Sequence, residues 1–283
     1  MAVGHIVLAI DRKYVAQAAT LLVSLSAATS EIVPTTLLHC DLSAPDVQAL
    51  QRVSAALNWP LDMRRVALPS GLPVTDWVSP ATYLRLFAPA SCADSSHLLY
   101  LDVDMLVLED MTPLLTTIPQ APVAAVRDHF HRTFETGQAL PGYRTGAFSR
   151  TPYFNAGVLV IDVDRWHRQD VTERALRFIH DKPQHIRFWD QDALNFVLEG
   201  QWEPLAPEWN CFPFRDLLDQ YDWREPMPEN EPLEELFNLE DRARVLHFAG
   251  PKKPWHEGYR PTTSRRLYRS MAGVAARLTA GSA

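Results

Sequence analysis

Several large classes of protein are excluded by what this sequence lacks. It has three cysteines in 283 residues, Cys40, Cys92 and Cys211. An odd number at unrelated spacings gives neither a disulfide framework nor a zinc cluster, and reads as buried thiols. No apolar run approaches the roughly 20 residues that a membrane-spanning helix needs. The start, MAVGHIVLAIDRKY, has no basic segment, apolar stretch and small-residue cleavage site in succession, which predicts a cytoplasmic protein. The stretch VLAIDRKYVAQ contains no glycine, so a Gly-rich phosphate loop is missing there. Positive charge is scarce over most of the chain. The formal net charge is -7, yet the segment after Ala249 carries seven Lys/Arg against Glu257 alone, leaving -13 on residues 1–249. That balance argues against a nucleic-acid partner for the main body. An anionic ligand there needs a cation or well-placed lysines.

What is present is ordinary globular usage, 47% hydrophobic and 22% charged. Short apolar runs at 5–10, 36–40 and 62–66 alternate with helix-like spacing at 14–28 and 43–57, the second opening on a Ser43…Asp46 capping box. Alternation of this kind predicts an α/β fold with a mostly parallel central sheet flanked by helices. Ser79-Pro80 predicts a helix over 81–90. Strands are expected at 98–101, 123–126, 157–161 and 244–248, and helices at 164–180 and 191–198. The segment 219–241 is Pro-rich and acidic, and reads as a solvated excursion with short helical pieces. Near the C-terminus, Leu267, Met271, Val274 and Leu278 share one helical face. The expected organisation is a main α/β domain over 1–255 and a small basic helical extension over 256–283. The extension has two readings, a helix packed on the domain or a peripheral contact with anionic lipid.

Three Asp-x-Asp pairs occur: Asp102/Asp104, Asp162/Asp164 and Asp190/Asp192. On extended backbone, residues i and i+2 point to the same side and can share a cation. On a helix they diverge by about 200°. Asp190/Asp192 opens a helix, with a cap as the simple role of Asp190. Asp164 reads as the N-cap of the helix that follows it. Asp102/Asp104 follows an apolar strand, HLLYL, and parallel sheets bind ligands beyond the carboxyl ends of their strands. Two ionised carboxylates there are costly without a compensating cation. The alternative is a turn in which one Asp caps the backbone.

Further elements bear on that choice. HFAGPKKPWH supplies His247, a Gly250 turn and the lysines Lys252 and Lys253. An imidazole with carboxylates suits Mn²⁺ better than Mg²⁺, which prefers oxygen throughout. Taken alone, His247 reads as a core histidine and the lysines as surface charges. In YFNAGVLVID, Asn155 can both donate and accept, and Gly157 permits close approach of a ligand. WDQDALN leaves Gln191 without a structural role, and Arg85 reads as a salt-bridge partner or a ligand clamp.

These motifs, with AIDRKY, TYLRL and LLYLDVDMLV, occur in an order that resembles glycosyltransferase family 8, over about residues 5–255. The nearest likeness is to bacterial lipopolysaccharide and lipo-oligosaccharide galactosyl- and glucosyltransferases. The resemblance implies a GT-A nucleotide-diphospho-sugar transferase fold, a UDP-hexose donor, Mn²⁺ (with Mg²⁺ as the substitute) and transfer with retention to a saccharide or lipid-linked saccharide. It implies Asp102, Asp104 and His247 as metal ligands, and Ala9, Asp11 and Tyr14 as uracil and ribose contacts. Gly250 and Lys253 would meet the diphosphate, and Val103 would lie along the donor. Arg85, Asp128, Asn155, Ala156, Gly157, Asp190 and Gln191 would contact the donor sugar, with Gln191 and Asp190 nearest the chemistry. The first motif departs from the family pattern, since Arg12 and Lys13 follow Asp11, and no ribose contact is carried to Lys13. The acceptor is expected against residues 129–151 and 208–241. A sugar-1-phosphate nucleotidyltransferase and a non-catalytic UDP-sugar-binding protein are the alternatives. Which hexose is donated is not legible in these residues.

Overall fold

Strand β1 (His5–Ile10) is buried along almost its whole length, and its side chains alternate between two cores. The computed structural model describes residues 4–75, 78–134, 150–218 and 231–281. The further strands are β2 (Thr35–His39), β3 (Leu61–Arg65), β4 (His97–Leu101), β5 (Met105–Val107), β6 (Val123–Arg127), β7 (Phe154–Asp162), β8 (Glu203–Pro204) and β9 (Val245–His247). The α-helices are α1 (Val15–Ala28), α2 (Ala44–Leu57), α3 (Ala88–Ser91), α4 (Thr112–Leu115), α5 (Val163–Arg168), α6 (Val171–Asp181), α7 (Trp189–Leu198), α8 (Leu233–Asp241) and α9 (Thr263–Ala280).

The main sheet has the order β3-β2-β1-β4-β7-β6-β8, and β5 pairs with β9 in a second sheet. Strands β3, β2, β1 and β4 run parallel, β7 runs antiparallel to β4 and β6, and β8 is parallel to β6. This α/β sheet is therefore mostly parallel, as the strand–helix alternation predicts. On one face, Val7, Leu98, Tyr100, Leu159 and Ile161 pack with Trp166, Phe178 and Leu194 of the later helices. On the other, Ile6, Leu8, Leu99, Leu101, Val158 and Val160 pack with α1 and α2. Burial on both faces explains why β4 and β7 read as continuous apolar runs rather than alternating ones.

The topology aims several chain ends at one place. Strand β4 ends at Leu101, and β7, running the opposite way, begins beside it: Leu101 pairs with Val158, and the Asp102 N–H donates to the Gly157 carbonyl at 2.9 Å. The β5–β9 ribbon pairs Met105 with His247, and the Phe248 N–H donates to the Asp104 carbonyl at 2.9 Å. His247 is thus set against the Asp102–Asp104 bend by backbone pairing across 143 residues of chain.

Several local expectations need correction. Residues 80–87 form a 3-10 helix, capped by Ser79 as expected. Pro89 has no N–H for the Arg85 carbonyl, which accepts instead from Ala88 in the tighter i+3 pattern. The expected helix over 164–180 is two helices, α5 and α6, broken at Asp170, whose φ of 49° is left-handed. The cap of α5 is Asp162, not Asp164: Asp162 accepts the Arg165 N–H at 2.7 Å, while Asp164 is exposed and pairs with Arg168. The cap thus lies two residues earlier than expected, and the first helical residue is Val163. Of the cysteines, Cys92 and Cys211 are buried and Cys40 half-buried, and all three are free thiols. Residues 135–149 and 219–230, parts of the expected acceptor segments and acidic excursion, lie outside the described residues.

Helix α9 packs across α1 and α2. Met271, Val274 and Leu278 turn inward onto that core, and Leu267 stays exposed. The apolar stripe thereby takes the packed reading of the two. Among the described residues, no helix is long and apolar enough to cross a membrane.

In the last turn of α8, burial pushes the Glu240 carboxyl up to about 7, against the Arg215 N–H and guanidinium that favour its charge. A folded-state value above the unfolded one means that the native state holds a proton that the unfolded chain releases. The associated stability is present below about pH 4.5 and is lost as pH rises through 7. Glu240→Gln keeps an acceptor for Arg215. Its melting temperature is expected to fall less than that of the wild type between pH 5 and pH 8. Parallel melting curves would refute the assignment.

Candidate active site

A single cleft gathers Ala9, Asp11, Tyr14, Arg85, Asp102, Val103, Asp104, Asp128, Asn155, Asp190, Gln191, His247, Gly250 and Lys253 in its lining. Of the residues singled out from sequence, Ala156 and Gly157 lie in the β7 wall and do not line the cleft. The loops beyond β1, β4 and β6, the start of β7, the start of α7, the 3-10 helix over 80–87 and the end of β9 with the turn after it supply the polar groups, mostly at strand ends as the sheet topology requires.

The centre is a charge network in which each carboxylate divides its two oxygens. Asp102 Oδ1 accepts from Tyr100 Oη at 2.8 Å and pairs with Arg85 Nη2 at 2.9 Å, while Oδ2 faces His247 Nε2 at 3.8 Å. Asp104 Oδ2 accepts from Lys253 Nζ at 2.6 Å, while Oδ1 faces His247 Nε2 at 3.3 Å. One oxygen of each Asp is thus matched to a fixed cation, and the other converges with the imidazole. One ligand atom from each of the three residues lies within 4.8 Å of the others. Atoms sharing a metal at about 2.1 Å lie up to about 4.2 Å apart. Both separations to His247 fall inside that limit, and the three residues could hold a metal ion. Burial would raise the Asp104 carboxyl, but Lys253 and His247 outweigh it and hold the group well below the usual carboxylate range.

Arg85 is the second hub. It is buried, its Nε meets Asp190 Oδ2 at 2.6 Å, and its guanidinium also donates to the Ala156 carbonyl. Asp190 accepts in addition from Thr82 Oγ1 at 2.6 Å. Burial pushes the Asp190 carboxyl up to about 6, against the pull of Arg85 and Thr82. Asp190 is therefore an ion-pair partner and not the helix cap expected of it. The group that reaches back to the helix start is Asp192, which accepts the N–H groups of Arg187 and Phe188 at 2.6 Å each.

Gln191 has both ends of its amide engaged. Its Oε1 accepts the Ala156 N–H at 3.0 Å, and its Nε2 donates to Asp128 Oδ2 at 3.4 Å and Tyr153 Oη at 3.3 Å. Asp128 accepts the N–H groups of Phe130 and His131 and the Asn155 amide. Burial opposes its charge, but His131, Asn155 and those N–H groups prevail and lower its pKa.

The role read for Gly157 changes in detail. A Cβ built there would lie 2.5 Å from His247 Cε1 and 2.8 Å from the Met105 methyl. The missing side chain makes room for the imidazole. Gly157→Ala is expected to cost about 1–3 kcal/mol of stability through overpacking and to displace His247. Mn²⁺ titration calorimetry with a melting curve checks both, and wild-type values in each would refute it.

Sequence reasoning missed Tyr100, Thr82, Tyr153 and Asn210, which hold the site residues, and the aromatic rim of Phe130, Phe188, Trp189 and Phe212. Tyr100 was legible in part, because it lies two residues before Asp102 and so on the same side of extended backbone. Asn210, in EWNCF, carries no local signal.

Comparison with known proteins agrees with this architecture. The galactosyltransferase LgtC, solved with donor and acceptor sugar analogues, superposes with a TM-score of 0.75 at 25% identity, over 95% of both chains. The fold is thus the GT-A nucleotide-diphospho-sugar transferase fold. General stress protein A of Bacillus subtilis (strain 168) is 31% identical over 185 residues, 63% of this chain and 60% of its own. Lipopolysaccharide 1,2-glucosyltransferase of Escherichia coli (strain K12) is 28% identical over 194 residues, 66% of this chain and 52% of its own. The chain thus spans 60% and 52% of the length of these last two relatives. The family model for glycosyl transferase family 8 matches residues 5–258, from β1 to just beyond the Lys253 turn, and the chain belongs to that family.

Proposed function

We propose that the chain transfers a hexose, galactose or glucose, from a UDP-sugar to a saccharide hydroxyl with retention, in the synthesis of a lipopolysaccharide or related surface glycan. The observation that carries this reading is the convergence of Asp102 Oδ2, Asp104 Oδ1 and His247 Nε2 beside Lys253, in one cleft with Asp128, Asn155, Asp190 and Gln191. Asp102, Asp104 and His247 would hold Mn²⁺, which supplies positive charge against the negative charge that grows on the departing diphosphate. Lys253, paired with the other oxygen of Asp104 at 2.6 Å, lies beside this donor set and adds a compact cation for phosphate. Ala9, Asp11, Tyr14, Val103 and Gly250 are assigned to the rest of the UDP.

The sugar end favours front-face attack. A covalent route needs a free nucleophile beneath the anomeric carbon. Gln191 is a neutral amide tied to Ala156, and Asp190 is held by Arg85 and Thr82. In the front-face route, the acceptor oxygen bonds to the anomeric carbon as the bond from that carbon to the diphosphate oxygen breaks. The acceptor proton passes to the departing phosphate oxygen. Gln191 and Asp190 orient the sugar and stabilise its oxocarbenium character.

A panel of UDP-sugars with Mn²⁺, scored by UDP release with and without acceptor, tests the reading. UDP-galactose or UDP-glucose is expected to release UDP only when Mn²⁺ is present. Formation of UDP-sugar from UTP and a sugar 1-phosphate would instead mark a nucleotidyltransferase, and binding without turnover a non-catalytic protein. A glycosyl adduct trapped on Gln191 or Asp190 would replace front-face attack by the covalent route.

A further inference from the structure

The imidazole of His247 faces two carboxylate oxygens through Nε2 and a side-chain amide through Nδ1. Its Nδ1 lies 2.8 Å from Asn210 Oδ1. Asn210 is fully buried, and its Nδ2 donates to Asn155 Oδ1 at 2.8 Å. Asn155 Oδ1 also accepts the backbone N–H of Gly157 at 3.0 Å, and Asn155 Nδ2 donates to Asp128 Oδ2 at 3.0 Å. Both ends of this chain have fixed polarity. A backbone N–H can only donate, and an ionised carboxylate can only accept. Asn155 is therefore oriented twice over, with its oxygen toward Gly157 and its NH₂ toward Asp128. Asn210 must then offer its NH₂ to Asn155 and its oxygen to His247. Among the described residues, the partner set against that oxygen is Nδ1, which must carry a proton to satisfy it.

We infer that Asn210 is a positioning residue that places the neutral His247 proton on Nδ1 and leaves Nε2 bare toward Asp102 and Asp104. Without it, Asp104 Oδ1, at 3.3 Å, draws the proton to Nε2, the atom that must be bare to bind a cation. The other polar groups at Asn210 support this placement. His129 Nε2 donates to the Asn210 carbonyl at 3.0 Å, and the His247 N–H donates to the Cys211 carbonyl at 2.8 Å, which keeps the two side chains in register. The same chain of amides joins the metal-ligating imidazole to Asp128 and Asn155, so the orientation of His247 and that of the sugar-side groups are set together.

This inference rests on the reading of Asp102, Asp104 and His247 as a metal site, and its test separates the two. Mn²⁺ binding is measured by titration calorimetry on the full chain for wild type, Asn210→Leu and Asn210→Asp, each checked by thermal melting. Loss of a partner that orients a metal-bound imidazole weakens affinity about 10- to 100-fold. Asn210→Leu is expected to show that loss. Asn210→Asp still accepts from Nδ1 and is expected to bind within a few-fold of wild type. Imidazole ¹⁵N shifts of the metal-free protein at alkaline pH should report Nδ1–H in wild type and Nε2–H in Asn210→Leu. Equal Mn²⁺ affinity of folded Asn210→Leu and wild type overturns the inference alone. So does a wild-type His247 protonated on Nε2, a measurement that needs no variant to fold. Failure of the wild type to bind Mn²⁺ overturns the metal site itself and this inference with it.

Discussion

Asp102→Asn is expected to lower Mn²⁺-dependent turnover by about 10³-fold while moving the melting temperature little. The reasoning follows from how Asp102 divides its oxygens. An asparagine oxygen still accepts from Tyr100 and Arg85, and Arg85 keeps Asp190 as its counter-charge. What is lost is a negative charge facing the place where a cation would sit, worth about 4 kcal/mol if the metal's contribution is several kcal/mol and each 1.36 kcal/mol is tenfold in rate. Asp104→Asn is a useful contrast. It removes the carboxylate that compensates buried Lys253, so it is expected to lose stability as well as turnover. Donor hydrolysis at saturating UDP-sugar, with a melting curve for each variant, gives both numbers. Near-wild-type turnover of Asp102→Asn would sink the metal assignment.

Arg85→Met is expected to destabilise the protein by about 3–5 kcal/mol, the cost of leaving buried carboxylates without their cation. For a chain of this size that corresponds to roughly 10 °C in melting temperature. Arg85 is buried, and its planar fork meets Asp102, Asp190 and the Ala156 carbonyl together. Arg85→Lys is expected to recover little, because one ammonium cannot reach three diverging partners. Burial already pushes Asp190 up to about 6, so in Arg85→Met it is expected to take up a proton near neutral pH. Adding Asp190→Asn should therefore restore part of the stability, and the double-mutant cycle should be strongly non-additive. Additive losses would mean that Arg85 and Asp190 act independently. An Arg85→Met melting temperature within 2 °C of wild type would show that the network carries no stability (about 1 kcal/mol or less by the same scaling).

Local pattern by itself determined most of the elements of this protein. The two-face-buried runs of β4 and β7, the Ser43 box and the Ser79 cap are short-range features, and each was legible because neighbouring residues decide it. The candidate site residues were proposed from motifs, and the structure brings all but Ala156 and Gly157 to the lining of one cleft. Tertiary structure alone decided the rest. Asp190 resembles a cap until Arg85, 105 residues earlier in the chain, is folded against it. Gly157 resembles a ligand contact until the His247 ring fills the space beside it. Asn210 has no pattern at all, because its partners Asn155 and His247 are joined to it only by pairing between distant strands. Periodicity reports which side a residue faces, but the polarity of a buried hydrogen-bond chain depends on which groups the sheet order makes adjacent, and no local spacing encodes that.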